Sequence, residues 1–214
     1  MTTDCDHLSI TELRRYLDTE AVGRHIYLFG TVDSTNAVLQ GLAEHEAEDI
    51  IVEIKWPNDV VVDGRKLGGA LVDYATVGDQ VSHVILGIGV NLNVARAELD
   101  AALGAEAAGA VSVSELVGGE IDRNRFVARF LNRLEKWHRI FMAEGPVAVH
   151  AAWRSHDALR GRRLEIRSGA TAWRGCGCGV DADGSLLVED AEGNRRRVVS
   201  GAIRLLHPEQ EEAR

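Results

Sequence analysis

Ile54-Lys55-Trp56-Pro57-Asn58-Asp59-Val60-Val61-Val62-Asp63-Gly64-Arg65-Lys66-Leu67-Gly68-Gly69-Ala70-Leu71-Val72 decides how this chain is read. Val60, Val61 and Val62 are β-branched, and Asp63-Gly64 is a strong two-residue hairpin signal. The stretch therefore predicts strand, tight turn, strand. Pro57 cannot donate to a ladder, so 56–59 reads as a shaped corner ahead of the strand. Gly68-Gly69 lets backbone approach a ligand where a Cβ would intrude. Lysine and arginine together number 24, yet only Lys55, Lys66 and Lys136 are lysines. Two of the three fall in this stretch. An ammonium is a compact point charge suited to carboxylate or phosphate, and arginine does not replace it freely.

Working outward, 25–32 is a strand candidate. Ser34 follows it as an N-cap for a helix from 35 to about 45, with Val38, Leu39 and Leu42 on its buried side. The ordinary reading of Asp33-Ser34-Thr35-Asn36 is capping alone. The apolar segment 48–54 should pair with 60–62 and 67–72 as a meander, and 73–80 reads as a polar turn. The continuous apolar run 81–90 predicts a fully buried strand ending at Asn91. Ser9-Ile10-Thr11-Glu12 has the form of a capping box opening a helix from 11 to about 17. An alanine-rich segment, 95–110, and a short helix starting at Ser112 lead to a long helix from Arg123 to about Met142, capped by Asp122. Its Phe126, Phe130, Leu131, Leu134, Trp137 and Phe141 recur at helical spacing and predict core. From Leu159 onward, short alternating strands separated by Asp181-Ala182-Asp183-Gly184 and Glu192-Gly193-Asn194 predict a small barrel.

KWPND followed by GRKLGGAL resembles the central motif of biotin protein ligases. Asp33-Ser34-Thr35-Asn36 before it and Gly87-Ile88-Gly89-Val90-Asn91-Leu92-Asn93 after it keep the family order, and the tail resembles the family's small C-terminal domain. The resemblance implies an α+β fold: a mixed sheet flanked by helices, class II synthetase-like, truncated, followed by an SH3-like barrel. It divides the chain into a catalytic-type domain at 1–156, shortened internally after residue 45, and an SH3-like domain at 157–214. It also implies the activity: biotin and ATP form biotinyl-AMP, and biotin passes to a lysine of a biotin carboxyl carrier protein.

Residue by residue, the resemblance makes Lys66 the catalytic clamp on the biotin carboxylate and α-phosphate. Ser34, Thr35 and Asn36 become biotin contacts, and Gly68, Gly69 and Leu71 the floor of the biotin pocket. Lys55, Trp56, Asn58, Asp59 and Asn91 are assigned to ATP and its phosphates, with Asp59 and Asn91 as oxygen ligands for Mg²⁺. Arg65 is expected to face solvent or an acidic partner. One family feature is missing: eighteen residues separate Asn36 from Lys55, and no GRG occurs there. The GRGRxGR loop that closes over the adenylate is thus absent. Three readings follow: a working ligase whose lid is replaced by another element or a second subunit, as in a homodimer; an impaired homologue that binds without turnover; or a ligase for another small acid such as lipoate.

Composition bounds the rest. The chain has 214 residues, 45% of them apolar, with formal charge −9. That acidity argues against general nucleic-acid binding, and the Arg195-Arg196-Arg197 run reads as a solvated strand end. No apolar run reaches membrane-spanning length and 1–7 is polar, so the expectation is a cytoplasmic protein without a membrane partner. Family members sometimes carry an N-terminal DNA-binding domain, for which no room is expected here. Cys176-Gly177-Cys178 could be half a metal site, but no other cysteine lies near in sequence, and the pair is read as structural or incidental. Asp181-x-Asp183-Gly184 is read as a turn rather than a calcium loop, and His138, His150 and His156 stay unassigned.

Overall fold

A computed structural model describes residues 7–26, 50–169 and 171–206. The expected strand at 25–32 and the helix after Ser34 fall almost wholly outside these residues. The elements are α1 (Ile10–Tyr16), β1 (Val52–Lys55), β2 (Asp59–Val62), β3 (Arg65–Val77), β4 (Gln80–Val90), α2 (Arg96–Leu103), a 3₁₀ turn (Gly104–Gly109), α3 (Val113–Val117), α4 (Arg123–Glu144), α5 (Pro146–Ser155), β5 (Arg163–Ser168), β6 (Thr171–Val180), β7 (Leu186–Glu189), β8 (Arg195–Val198) and β9 (Ala202–Leu205). This is an α+β fold. The ladders between β2, β3 and β4 and among β5 to β9 are antiparallel, and parallel pairing occurs in isolated bridges such as Lys66 with Ala110. No helix among the described residues is long and apolar enough to cross a membrane.

The chain forms two compact units, Met1–Val52 with Asp59–Pro146, and Glu53–Asn58 with Val147–Arg214. In the first, Asp63 and Gly64 both take positive φ (51° and 74°), the backbone a two-residue hairpin turn requires. The core gathers Val60, Val62, Leu67, Leu92, Val111, Val113, Ile121 and Phe126. Two expectations change here. The polar 73–80 segment does not turn: β3 runs on to Val77, and the turn falls at Gly78-Asp79. The apolar run in β4 is not buried throughout, because 81–86 are exposed and 87–90 only half-buried. A run without period cannot by itself separate a doubly covered strand from a bare one.

The N-terminal segment is strapped to α4 by polar side chains. Ser9 adopts the extended N-cap backbone without a side-chain cap bond, and its N–H donates instead to Asn124 Oδ1 at 2.7 Å. The capping box is thus replaced by a tertiary bond, while Glu12 pairs with Arg15. Asn132 accepts from Asp18 N–H and donates to Tyr16 O. Of the aromatic stripe on α4, Phe126 is buried, whereas Phe141 is 46% exposed. Asp122 caps the helix as expected, accepting from the N–H groups of Asn124 and Arg125.

In the second unit, the five strands follow the order β8-β7-β6-β5-β9. Trp56 joins Leu159, Leu164, Ile166, Val180, Leu186, Val188, Val198 and Ile203 in its core. β1 is tied to the chain after α5: Ile54 N–H donates to His156 O at 2.6 Å, and Ala158 N–H to Ile54 O at 2.9 Å. Sequence alternation missed β9 as a separate strand. Gly201, at φ 145°, breaks 195–205 into β8 and β9, which pair with different neighbours.

Buried Glu135 on α4 accepts from the N–H groups of Glu20, Ala21 and Val22 at 2.8–2.9 Å and pairs with Arg139 at 2.5 Å. The Glu20 amide, then those of Val22 and Ala21, hold its carboxyl at about 2, against an ordinary 4.5. A depressed folded pKa gives stability that is complete above the unfolded value and lost as pH falls through the folded one. Glu135→Gln is therefore expected to lower Tm at pH 7 and to flatten the Tm loss between pH 4.5 and about 2. Parallel acid limbs for the two proteins in thermal melts would remove Glu135 from this role.

Candidate active site

The β2–β3 ladder slips between Val60 and Val61: Asp59 faces Gly69 and Val60 faces Gly68, but Val61 faces Lys66. Leu67 is the extra residue of a bulge. The two-residue turn pairs Val62 with Arg65 and so sets Lys66 opposite Val61, on the face that Asp59 shares. The slip beyond it changes the residues that follow: Gly69, rather than Gly68, comes to lie opposite Asp59, and Leu67 is fully buried among the core valines. The ammonium then reaches the Asp59 carboxylate, with Lys66 Nζ 2.5 Å from Asp59 Oδ1 and the side chains 53% and 24% exposed.

The same face continues along the hairpin. Gly69 lies opposite Asp59 and Gly89, and Leu71 opposite Gly87. Three residues without side chains thus lie beside the lysine, with Leu71, 56% exposed, at the far end. Gly68 belongs to the opposite face. A Cβ there would lie 2.2 Å from Gly89 O, so its glycine is already required by the approach of β4.

The backbone of Lys66 is clamped from the side away from β2. Its carbonyl accepts from Val111 N–H at 2.9 Å, and the Leu67 carbonyl accepts from Asn91 N–H at 2.9 Å. The Asn91 side-chain amide donates to Val111 O at 3.0 Å and more weakly to Lys66 O at 3.4 Å. Asn91 thus holds β3 to the 110–113 segment through its nitrogen, and its oxygen is the end suited to a cation. A second tie was invisible in the sequence. Arg65, expected to face solvent or an acidic partner, stays partly exposed and pairs with Glu115 at 2.6 Å, fifty positions on. Arg96 donates to Ala107 O and Ala110 O and lies 3.7 Å from Glu115.

Lys55, Trp56 and Asn58 belong to the second unit. Trp56 is 6% exposed and its indole N–H donates to Gly184 O at 2.9 Å, so its only polar atom is engaged within the fold. Lys55 and Asn58 are half-buried. Ser34, Thr35 and Asn36 lie outside the described residues. Among the described residues, no group of three or more His, Cys, Asp or Glu is placed to hold a metal.

The site and fold define a class before they define a member. Residues 15–91 match the model of the Biotin/lipoate A/B protein ligase family. The chain is 33% identical over 160 residues to the Bifunctional ligase/repressor BirA of Bacillus subtilis, covering 75% of this chain and 48% of that one. It is 32% identical over 149 residues to the Biotin--[acetyl-CoA-carboxylase] ligase of Paracoccus denitrificans, covering 70% and 60%. Its fold matches that of a biotin protein ligase from Aquifex aeolicus solved with biotin and ATP, at TM-score 0.58 and 23% identity, covering 73% of this chain and 62% of that one. The chain belongs to the biotin protein ligase family. It spans about half the length of the Bacillus relative.

Gly68→Ala is expected to destabilise the protein by about 1–3 kcal/mol, because backbone rather than a mobile side chain stands in the way of the new methyl. A urea midpoint unchanged from the parent's would contradict the close β3–β4 approach.

Proposed function

We propose that the chain acts as a biotin protein ligase, activating biotin with ATP and transferring it to a lysine of a biotin carboxyl carrier protein. The observation that carries this reading is the Lys66 ammonium, set by the hairpin turn on a glycine-floored sheet face and held by Asp59. Biotin carboxylate and the α-phosphate of ATP repel each other. An ammonium between them offsets that repulsion and stabilises the charge that builds at phosphorus. A carboxylate oxygen attacks the α-phosphorus, pyrophosphate leaves, and a mixed anhydride forms. The neutral amine of the carrier lysine then attacks the acyl carbon, the amide forms and AMP departs. No serine or cysteine nucleophile is required.

In this reading Ser34, Thr35 and Asn36 contact biotin, and Gly69 and Leu71 floor its pocket; Gly68, expected beside them, lies on the opposite face and admits β4 instead. Lys55, Trp56, Asn58, Asp59 and Asn91 serve ATP. Asp59 and Asn91 supply hard oxygens of the kind Mg²⁺ accepts alongside substrate phosphates, so no closed protein cage is needed. Bound there, the ion would neutralise phosphate charge. The C-terminal sheet is read as an SH3-like barrel following residue 156, and the protein is placed in the cytoplasm, with a homodimer as one source of cover for the site.

One observation favours a second reading. The chain contains no GRG sequence anywhere, and an uncovered site leaves a hydrolysable anhydride open to water. That supports a homologue that binds biotin without turnover. Calorimetry with biotin, with and without MgATP, combined with mass detection of biotinyl-AMP, separates the readings. Heat with adenylate supports the ligase, heat without adenylate the binding protein, and preference for lipoate a ligase for that acid. No heat with any of them would overturn all three. In the ligase reading, Lys66→Ala is expected to slow adenylate formation by about 10²-fold or more. Undiminished turnover would remove Lys66 from the reaction.

A further inference from the structure

Cys176 and Cys178 lie on β6, outside the site described above. Cys176 pairs with Arg163 on β5 and with Glu189 on β7. The β6–β7 ladder then slips: Gly177 faces Val188, but Gly179 faces Leu187. Cys178 is the extra residue of a bulge. Gly175 and Gly177 face inward and are buried, and both cysteines are half-buried on the outer side. The two residues of a bulge share the face of the single residue opposite, here Leu187, which lies on the same side as Glu189 and Cys176. The thiols are therefore neighbours on one accessible face, and both are unbridged. Cys178 Sγ lies 3.6 Å from Cys176 O, leaning back along the strand toward its partner.

Residues two apart on a strand lie about 6.5 Å from one another along the chain. That is the long end of the Cα separation a disulfide accepts, so a direct S–S bond here is strained. A bridging atom suits the spacing better. Two metal–sulfur bonds of about 2.3 Å span up to about 4.6 Å between sulfurs. Zinc prefers four ligands in a closed structural site, and no group of three or more His, Cys, Asp or Glu able to hold a metal occurs among the described residues. Thiolates with few further donors select a soft cation.

We propose that Cys176 and Cys178 form a two-thiolate site for a soft cation of low coordination number, with monovalent copper as the type. Binding replaces two S–H bonds by two Cu–S bonds, releases two protons and leaves a complex of charge −1. No electron is transferred. The Arg163 guanidinium, on the strand beside Cys176, favours that added negative charge. The site stands apart from the ligase reading and does not depend on it.

The test uses the full chain, reduced and anaerobic, titrated with Cu⁺ against a chromophoric Cu⁺ chelator, with released protons measured in parallel. One equivalent is expected to be retained, with close to two protons released. Losing one of two linked ligands removes the effective-concentration advantage, so Cys176→Ser and Cys178→Ser are each expected to weaken retention by about 10²–10⁴-fold. Cys5→Ser is expected to bind like the parent. Unchanged far-UV spectra and melting of the copper-free variants would show that any loss comes from the thiols, not from unfolding. Copper retained by either single variant, loss on Cys5→Ser, or no competition by the parent would each overturn the proposal.

Discussion

A single unpaired residue, Leu67, governs the first unit. Strand side chains alternate, so a slip of one position exchanges the two faces of everything beyond it. The turn pairs Val62 with Arg65, so Lys66 falls on the face of Val61 and Asp59. The slip between Val60 and Val61 then brings Gly69 and Leu71 onto that face, while Leu67 packs with Val60 and Val62. Adjacent strand residues point to opposite faces, so burying Leu67 leaves Lys66 on the other side. The apolar side is favoured by about 25 cal/mol for each Å² removed from water. The lysine limits desolvation by keeping roughly half of its side-chain surface in solvent.

Through the first unit, structure is held by polar side chains acting on distant backbone. Asn91 bridges two carbonyls, Arg96 two more, and Glu135 gathers three successive amides. Buried backbone groups must find partners, and segments lacking a strand neighbour find them here in side chains. These ties keep the Lys66 carbonyl against Val111, so the lysine projects from backbone anchored on both sides. A clamp meant to meet two anions gains from such an anchor, because geometry fixed beforehand need not be organised during the reaction.

The second unit repeats the device in another setting. Its core is built on inward-facing Leu164, Ile166, Leu186 and Val188, and the slip at Gly177–Gly179 re-aims β6 as the one at Val60–Val61 re-aims β3. Trp56 contributes its indole to this core although it sits inside the KWPND motif. A motif that reads as one chemical unit is thereby divided: Trp56 packs and bonds Gly184, while Asp59 meets the lysine.

Much was legible in the residues. Asp63-Gly64 prescribes the hairpin turn because both positions need positive φ, Asp122 prescribes the start of α4, and the alternation after Leu159 prescribes short strands. The motif KWPND with RKLGG marks the family and directs attention to Lys66. What the residues left open depends on long-range pairing. Nothing near Val60 announces the ladder slip. Glu115 as partner of Arg65, Asn124 in place of a capping glutamate, and Trp56 in the core of the second unit are likewise contacts between positions far apart in sequence. Local propensity and period describe neighbours within a few residues; register and partnership are chosen by the whole packed structure, and here only tertiary contacts decided them.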